Sequence, residues 1–169
     1  MIILGIDPGT ATTGYGLVEI KAHRLSYVGH GTIQTAARYI FPDRLLMIYG
    51  QINQLIKKYD PTLLAVEQLF FAKNVKTALT VAQARGVVLL AGAGAGLIIE
   101  EYTPLQVKQT LTGYGRAQKD QIQKMVKAML GLKEIPRPDD AADALAIAIT
   151  AVHHHPLTAL ARMKKRVAP

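Results

Sequence analysis

The sequence contains no cysteine. Disulfide bonds, thiolate catalysis and zinc sites with cysteine ligands are therefore excluded, and the absence is compatible with a reducing compartment. The chain also lacks any run of about 18 uninterrupted apolar residues, which a membrane-spanning helix requires. Its N-terminal apolar run has no basic segment before it and is interrupted at Asp7, unlike a secretion signal. We therefore expect a cytoplasmic protein.

Acidic residues are scarce as well. The 169 residues include 12 Asp and Glu against 20 Lys and Arg, which gives a formal net charge of +8. This imbalance favours a polyanionic partner, with nucleic acid first and an anionic membrane surface second. Because half of the residues are hydrophobic, the chain can bury a core of its own. We predict one folded domain over residues 1–152, followed by a basic tail over residues 153–169 that is expected to be flexible.

The hydrophobic pattern predicts an α/β fold. Residues 2–6, 15–20 and 24–33 have the pattern of three antiparallel strands. The later elements are a helix over 42–59, a strand over 63–67, a helix over 74–91, a strand over 97–102, a helix from Thr103, a helix over 118–130 and a last helix from Asp139 or Asp140 to about 152. These elements predict a five-stranded mixed sheet, three antiparallel strands and then parallel β-α units, flanked by helices.

The helix over residues 74–91 is rich in alanine and apolar nearly all round, so we expect it to be buried on more than one side. Asn74 is the predicted N-cap. Glycines at 92, 94 and 96 are predicted to end the helix. Its small residues leave two interpretations open, a core helix or a dimer interface.

Two of the few acids stand directly after apolar strands. Asp7 follows the strand over residues 2–6, and Glu67 follows the apolar residues 63–66. If the two strands are parallel neighbours, both carboxylates lie at the same edge of the sheet.

The last predicted helix supplies two more acids. Asp140 and Asp143 are three residues apart and share a helix face. Complementing the helix dipole suffices as an explanation for Asp139, but Asp143 is surrounded by alanine and isoleucine and needs a partner or a metal ion. Four neighbouring carboxylates cannot all ionise without cations, and oxygen ligands suit Mg²⁺ or Mn²⁺. Two such ions roughly 4 Å apart are a common device for phosphodiester hydrolysis, so acids within a basic protein indicate a nuclease.

Six motifs in this chain resemble those of the RuvC-type Holliday junction resolvases, which have the ribonuclease H-like fold. The motifs are Ile-Leu-Gly-Ile-Asp-Pro-Gly at 3–9, Thr-Gly-Tyr-Gly at 13–16, Glu-Gln-Leu-Phe-Phe-Ala-Lys-Asn at 67–74, Gln-Ala-Arg-Gly at 83–86, Gln-Val-Lys-Gln-Thr at 106–110 and Asp-Ala-Ala-Asp-Ala-Leu-Ala at 140–146. The resemblance covers residues 1 to about 152, which would form a ribonuclease H-like nuclease domain. The four metal-binding acids of the family fall on Asp7, Glu67, Asp140 and Asp143, and Asp139 is expected to have a supporting or capping role.

The resemblance implies a homodimeric, Mg²⁺-dependent endonuclease, with two ions expected per active site and Mn²⁺ as a substitute. Such an enzyme nicks two opposed strands of a four-way DNA junction in recombination and repair, and it leaves 5′-phosphate and 3′-hydroxyl ends. A branch-migration motor complex of the RuvA and RuvB type is the implied partner. The family also uses the helix over residues 74–91 at its two-fold axis.

DNA-contacting residues are implied too. The aromatic that stacks on a base in the family matches Phe70, and we expect Phe71 to pack inside. Two essential lysines of the family match Lys108 and Lys119, and either could stabilise transition-state charge at the scissile phosphate.

Local composition extends this set of candidate DNA contacts. Residues 106–137 contain seven basic residues against two acids, so Lys108, Arg116 and Lys119 are predicted to contact DNA. Thr13, together with Thr10 and Thr12, is a candidate hydrogen-bond donor to phosphate, although a role in the turn is equally compatible. The remaining charged groups are interpreted as solvated ends of elements: the histidines at 153–155, Glu100 and Glu101.

Three other functions compete with junction cleavage. The segment Ile-Asp-Pro-Gly-Thr at 6–10 also resembles the phosphate loop of the sugar kinase and actin family, but those proteins need two such lobes. A related nuclease acting on structured RNA and a non-catalytic junction-binding module are the other two. The presence of all four acids argues against the last.

Overall fold

The computed structural model describes residues 1–21, 24–68 and 75–154, with the side chains of residues 75–77 left aside. Five strands and five helices follow one another in the predicted order. They are β1 (Ile2–Asp7), β2 (Thr12–Lys21), β3 (Arg24–Gln34), α1 (Phe41–Tyr59), β4 (Leu63–Glu67), α2 (Val75–Gly94), β5 (Ile98–Tyr102), α3 (Pro104–Thr112), α4 (Lys119–Met129) and α5 (Asp139–His154).

The strands form one mixed sheet with the order β3-β2-β1-β4-β5. β1, β2 and β3 pair antiparallel, whereas β4 pairs parallel with β1 on one side and with β5 on the other. The predicted α/β fold is therefore confirmed, and so is the central position of β1. In β1 the side chains of Ile3, Leu4 and Ile6 are fully buried, as expected of a strand covered on both faces.

Two apolar layers cover the sheet. On one face, Ile3, Val18 and Leu63 pack with α3, α4 and α5, and α5 contributes an almost unbroken buried series from Ala144 to Ile149. On the other face, Leu4, Leu17 and Leu64 pack with α1 and α2. The helix that starts with the predicted acids is thus the most deeply buried helix of the described chain.

Local signals set most helix ends. Thr103 forms the predicted N-cap, since its hydroxyl accepts a hydrogen bond from the Gln106 backbone N–H, and Pro104 takes the first helical position. Asp60 ends α1 in the left-handed conformation, just before Pro61. The last helix continues two residues beyond the predicted end, to His154.

The prediction for α2 was wrong in two respects. The helix runs through Gly92 to Gly94, because the missing side chain of Gly92 makes room for Leu64 of β4 rather than ending the helix. The helix was also expected to be buried on more than one side, but within one chain Ala84 and Val88 are fully covered while Leu79 and Leu90 are 59% and 63% exposed. The predicted cap Asn74 lies outside the described residues.

None of the helices in the described part of the chain is both long and apolar enough to cross a membrane.

Candidate active site

Parallel pairing of β1 and β4 places Asp7 beside Glu67. Ile6 is in register with Val66, so the two acids that follow leave the sheet at the same edge. The Asp7 and Glu67 carboxyl groups share a hydrogen bond. Burial, followed by the charges of Glu67, Asp143 and Asp140, raises the pKa of Asp7 to about 8. Burial and the charge of Asp143 raise the pKa of Glu67 to about 7.

Glycines in β2 bring the acidic end of α5 onto this edge. Gly14 pairs with Asp7, and a Cβ atom at Gly14 would overlap the backbone oxygen of Asp140. Two residues further along, a Cβ atom at Gly16 would lie 2.6 Å from the backbone nitrogen of Leu145. Because both positions lack side chains, the start of α5 lies directly on β2, next to Asp7.

Lys119 of α4 faces the acids of α5. Its ammonium nitrogen lies 3.0 Å from Oδ2 of Asp143 and 3.5 Å from Oδ2 of Asp139. Burial works against this positive charge, but the hydrogen bond and charge of Asp143 and the charge of Asp139 outweigh it, so the pKa of Lys119 is raised. Burial also raises the pKa of Asp143, despite the opposing effect of Lys119. Lys119 is therefore protonated at neutral pH.

Asp139 has a supporting role here. Its Oδ1 accepts hydrogen bonds from Nε2 of the buried Gln123 at 3.1 Å and from Arg137 at 2.6 Å. The hydrogen bond from Gln123, with the charges of Lys119 and Arg137, lowers the pKa of Asp139. The sequence interpretation missed Gln123, because its polar side chain carried no motif and only the packing of α4 on α5 reveals its partner.

A cleft of about 250 Å³ joins the predicted acids and lysines. Glu67 and Asp143 line it together with Lys108 and Lys119, above an apolar floor that includes Ile122. Lys108 also lowers the pKa of Glu67 through its charge. The structure thus brings together both predicted lysines and two of the four predicted acids in one concave site, with Asp7 hydrogen-bonded to its edge.

The donor set fits hard divalent cations. Buried carboxylates with raised pKa values gain most from a nearby cation, and oxygen ligands are those that Mg²⁺ and Mn²⁺ prefer. Among the residues that the structure describes, however, no three carboxylates or imidazoles converge on one point as metal ligands. Metal binding would therefore require the side chains to reorient, including the Asp143 carboxylate that now holds Lys119.

Arg85 of α2 is a second residue that the sequence interpretation did not single out. Its Nε donates to the Glu67 backbone oxygen at 3.2 Å, and its guanidinium pairs with Glu101 of β5. Glu101 is thus part of an ion pair rather than a solvated strand-end charge. Next to this pair, the Gln68 backbone N–H donates to the Tyr102 carbonyl oxygen at 2.8 Å. These contacts fix the backbone that carries Glu67; Arg85 lies in the motif at 83–86, but only the fold reveals its partners.

Thr13 is not a DNA contact, contrary to the sequence prediction. It is fully buried, and its hydroxyl donates to the Gly9 carbonyl at 2.6 Å. The Thr10 hydroxyl likewise donates a hydrogen bond inside the protein, to the Thr80 carbonyl at 2.9 Å. The turn interpretation therefore holds for Thr13, whereas the Thr10 hydroxyl ties the turn to α2.

The remaining predicted contacts are distributed differently. Arg116 is exposed in the loop before α4 but does not line the cleft. Phe70 and Phe71 lie outside the described residues.

His154 does more than end a helix, because its Nε2 lies 2.9 Å from the Thr110 hydroxyl and its ring lies 5.5 Å from that of Tyr102. That pairing joins the end of α5 to α3 and β5.

Comparison with known families gives one match over nearly the whole chain. The family described as crossover junction endodeoxyribonuclease RuvC matches residues 3–153. A protein of that name from Desulfitobacterium hafniense is 59% identical over 163 residues, which cover 96% of this chain and 98% of the relative. One from Heliobacterium modesticaldum is 56% identical, with 90% and 94% coverage.

Solved structures agree with these relatives. The Thermus thermophilus RuvC structure is 36% identical with a TM-score of 0.84, and the match covers 97% of each chain. The same protein in complex with a Holliday junction substrate is 34% identical with a TM-score of 0.83, covering 96% of each chain. The yeast mitochondrial Holliday junction resolvase Ydc2, 13% identical with a TM-score of 0.66, shares the fold.

Proposed function

The chain belongs to the RuvC family of crossover junction endodeoxyribonucleases, and from this premise we propose how its own residues resolve a four-way junction. The protein is an endodeoxyribonuclease that acts on Holliday junctions in recombination and repair. We propose paired, metal-dependent nicking of two opposed strands, which leaves 5′-phosphate and 3′-hydroxyl ends. The observation that carries the proposal is the cleft in which Glu67 and Asp143 face Lys108 and Lys119.

Asp7, Glu67, Asp140 and Asp143 would hold two Mg²⁺ ions, for which Mn²⁺ could substitute. Bound there, the ions would supply an activated water and charge stabilisation for the leaving oxygen. The protein would contribute the placement of the four carboxylates, two from the β1–β4 edge and two from the first two turns of α5.

Lys119 and Lys108 act on the phosphate. Both line the cleft beside the acids, where their positive charges would attract the phosphate. Lys119, protonated and held by Asp143 at 3.0 Å, can turn toward the scissile phosphate and stabilise the charge that develops on its oxygens. Lys108, which stands across from Glu67, is the second candidate for this contact.

The remaining parts of the machinery extend beyond the cleft. Arg116, exposed next to α4, would contact the DNA backbone outside the active site. Phe70, three residues after Glu67, would stack on a base near the crossover. A homodimer that meets through α2 would present two sites to the two opposed strands, since paired cuts need two-fold symmetry. A motor of the RuvA and RuvB type is the proposed cellular partner.

A synthetic four-way junction tests the proposal. The protein should nick two opposed strands when Mg²⁺ is present and none after chelation. Asp7→Asn should bind the junction with near wild-type affinity but cut it at least a hundredfold more slowly, because one carboxylate ligand is lost. Asp43→Asn, an exposed acid in the first turn of α1, is the matched control and should cut normally. Wild-type cutting by Asp7→Asn would remove that residue from the metal site.

A further inference from the structure

We propose that Arg44 of α1 and the segment of residues 9–12 form a second phosphate-binding site beside Asp140, distinct from the cleft that holds Lys108 and Lys119. The site would bind the backbone of the DNA strand to one side of the scissile phosphate. This inference rests on the proposed nuclease function and extends it.

A second cavity carries the inference. It measures about 450 Å³ and is lined by residues 9–12, Arg44, Thr80, Val81 and Asp140. It shares no lining residue with the cleft of Glu67, Asp143 and the two lysines. Each cavity therefore combines predicted acids with basic residues: Glu67 and Asp143 with the two lysines in the cleft, and Asp140 with Arg44 in the second cavity.

Arg44 is held in a fixed orientation at this wall. Its Nε donates to the hydroxyl of Thr35 at 2.9 Å, and that hydroxyl donates to the Thr10 carbonyl at 2.5 Å. Thr35 is only 4% exposed, and its backbone N–H also donates to the Ala11 carbonyl at 3.0 Å. The guanidinium and the segment of residues 9–12 thus form one hydrogen-bonded unit.

The charge of Arg44 is not neutralised by the protein. Within the described residues, no carboxylate forms an ion pair with it, although Arg85 and Arg137 each have such a partner. Only Nε is used in the contact with Thr35, and within the described part of the chain the two terminal nitrogens remain for a two-pronged contact. A planar guanidinium with free terminal N–H groups suits phosphate better than any other common anion-binding side chain.

The buried threonines explain why an arginine is needed here. The sequence suggested the hydroxyls of Thr10 and Thr13 as phosphate donors on this side of the acids, but both donate to backbone carbonyls. A positive side chain can supply the phosphate contact that these hydroxyls do not. Arg44 is the basic residue that lines the cavity next to Asp140.

The dependence of junction affinity on salt tests this site. Binding of a synthetic four-way junction is measured without divalent metal, over a range of salt concentrations, for the wild type, Arg44→Gln and Arg44→Lys. Loss of one phosphate contact should weaken binding about three- to tenfold and lower the steepness of log Kd against log salt by about one. Arg44→Lys keeps the charge and should retain most of the slope.

Lys58→Gln is the matched control, because Lys58 lies over the Tyr59 ring at the other end of α1, with 4.8 Å between its nitrogen and the ring centre. It should leave the slope unchanged. If Arg44 only holds Thr35, then Arg44→Gln lowers the melting temperature but keeps the wild-type salt slope, and that result overturns the proposal. Equal slope loss in Arg44→Lys and Arg44→Gln also contradicts it. Failure of the wild type to cut the junction with Mg²⁺ would instead contradict the proposed function.

Discussion

At the scale of single residues, the Asp7 and Glu67 carboxyl groups are the most constrained part of the site. They share a hydrogen bond in a largely buried position, where two negative charges would repel each other. The pKa values of about 8 and about 7 mean that the folded, metal-free protein retains protons that the unfolded chain has already released. Folding and the proposed metal binding would therefore be coupled at these two side chains.

This coupling predicts a pH dependence of stability. The folded-state pKa of Asp7 is about 8 against an ordinary value of 3.8, so the folded state binds more protons between these pH values. Without metal, the free energy of unfolding should fall as pH rises from about 4 to about 8. Asp7→Asn removes the titrating group and should be more stable than the wild type at pH 8, by on the order of 2 kcal/mol.

Chemical denaturation with chelator at pH 5 and pH 8 measures the effect. Asp43→Asn, which alters an exposed acid, should follow the wild-type pH profile. Added Mg²⁺ should stabilise the wild type more at pH 8 than at pH 5. A wild-type stability that rises over this pH range, with Asp7→Asn less stable at pH 8, would contradict the raised pKa of Asp7.

Strand-end acids could be predicted because an acid that directly follows an apolar strand is visible in the local pattern. An apolar strand followed by an acid places the carboxylate at a sheet edge, and the parallel pairing of β1 and β4 then brings Asp7 to Glu67. The hydrogen-bond partner of a hydroxyl cannot be predicted in this way. Whether Thr13 faces DNA or the Gly9 carbonyl depends on the turn that the segment adopts, and the sequence left both options open.

At the scale of elements, the contact between α5 and the sheet decides where two of the acids lie. Gly5 of β1 and Gly14 and Gly16 of β2 all face the α5 backbone or side chains at distances that leave no space for a Cβ atom. The two strands therefore provide a smooth surface on which the buried face of α5 rests. Sequence periodicity identified the helix and its acids. It could not show that glycines in β2 set the distance between α5 and the sheet.

Gly14→Ala tests this contact. The added methyl group would meet the backbone oxygen of Asp140, which cannot rotate away, so the start of α5 must shift. We expect the free energy of unfolding to fall by roughly 1–3 kcal/mol. Cleavage should fall more than the stability loss explains, because Asp140 and Asp143 move with the helix. Denaturation curves and junction cleavage are measured on the same preparation.

Gly50→Ala is the control for this change. Gly50 lies within α1, and a Cβ atom there would have no other atom within 4 Å. Alanine at this position should stabilise the helix by up to about 1 kcal/mol and leave cleavage unchanged. Full cleavage activity in Gly14→Ala would show that the acids do not depend on this close approach.

At the scale of the whole molecule, α2 has one side that is buried within the chain and another side whose leucines are exposed. Leu79 and Leu90 are eleven residues apart, close to three full turns, and therefore lie on the same side of the helix. Both are more than half exposed, whereas Ala84, Val88 and Ala91 on the opposite side are buried against the sheet. The sequence predicted burial on more than one side, and within one chain these residues of α2 are buried on the side that faces the sheet.

The exposed side of α2 predicts the behaviour of a dimer. Glutamate at both leucines, Leu79→Glu with Leu90→Glu, would place charges in the proposed interface and should convert the proposed dimer to monomers in analytical ultracentrifugation. Because paired nicking needs two sites on one junction, the variant should make single nicks and few paired ones, while each chain stays folded. Leu105→Glu, an equally exposed leucine at 53% on α3 and the other face of the sheet, should leave the dimer intact. A dimer that survives both α2 substitutions would move the two-fold axis to another surface, and the distance between the two active sites would then have to be set by elements other than α2.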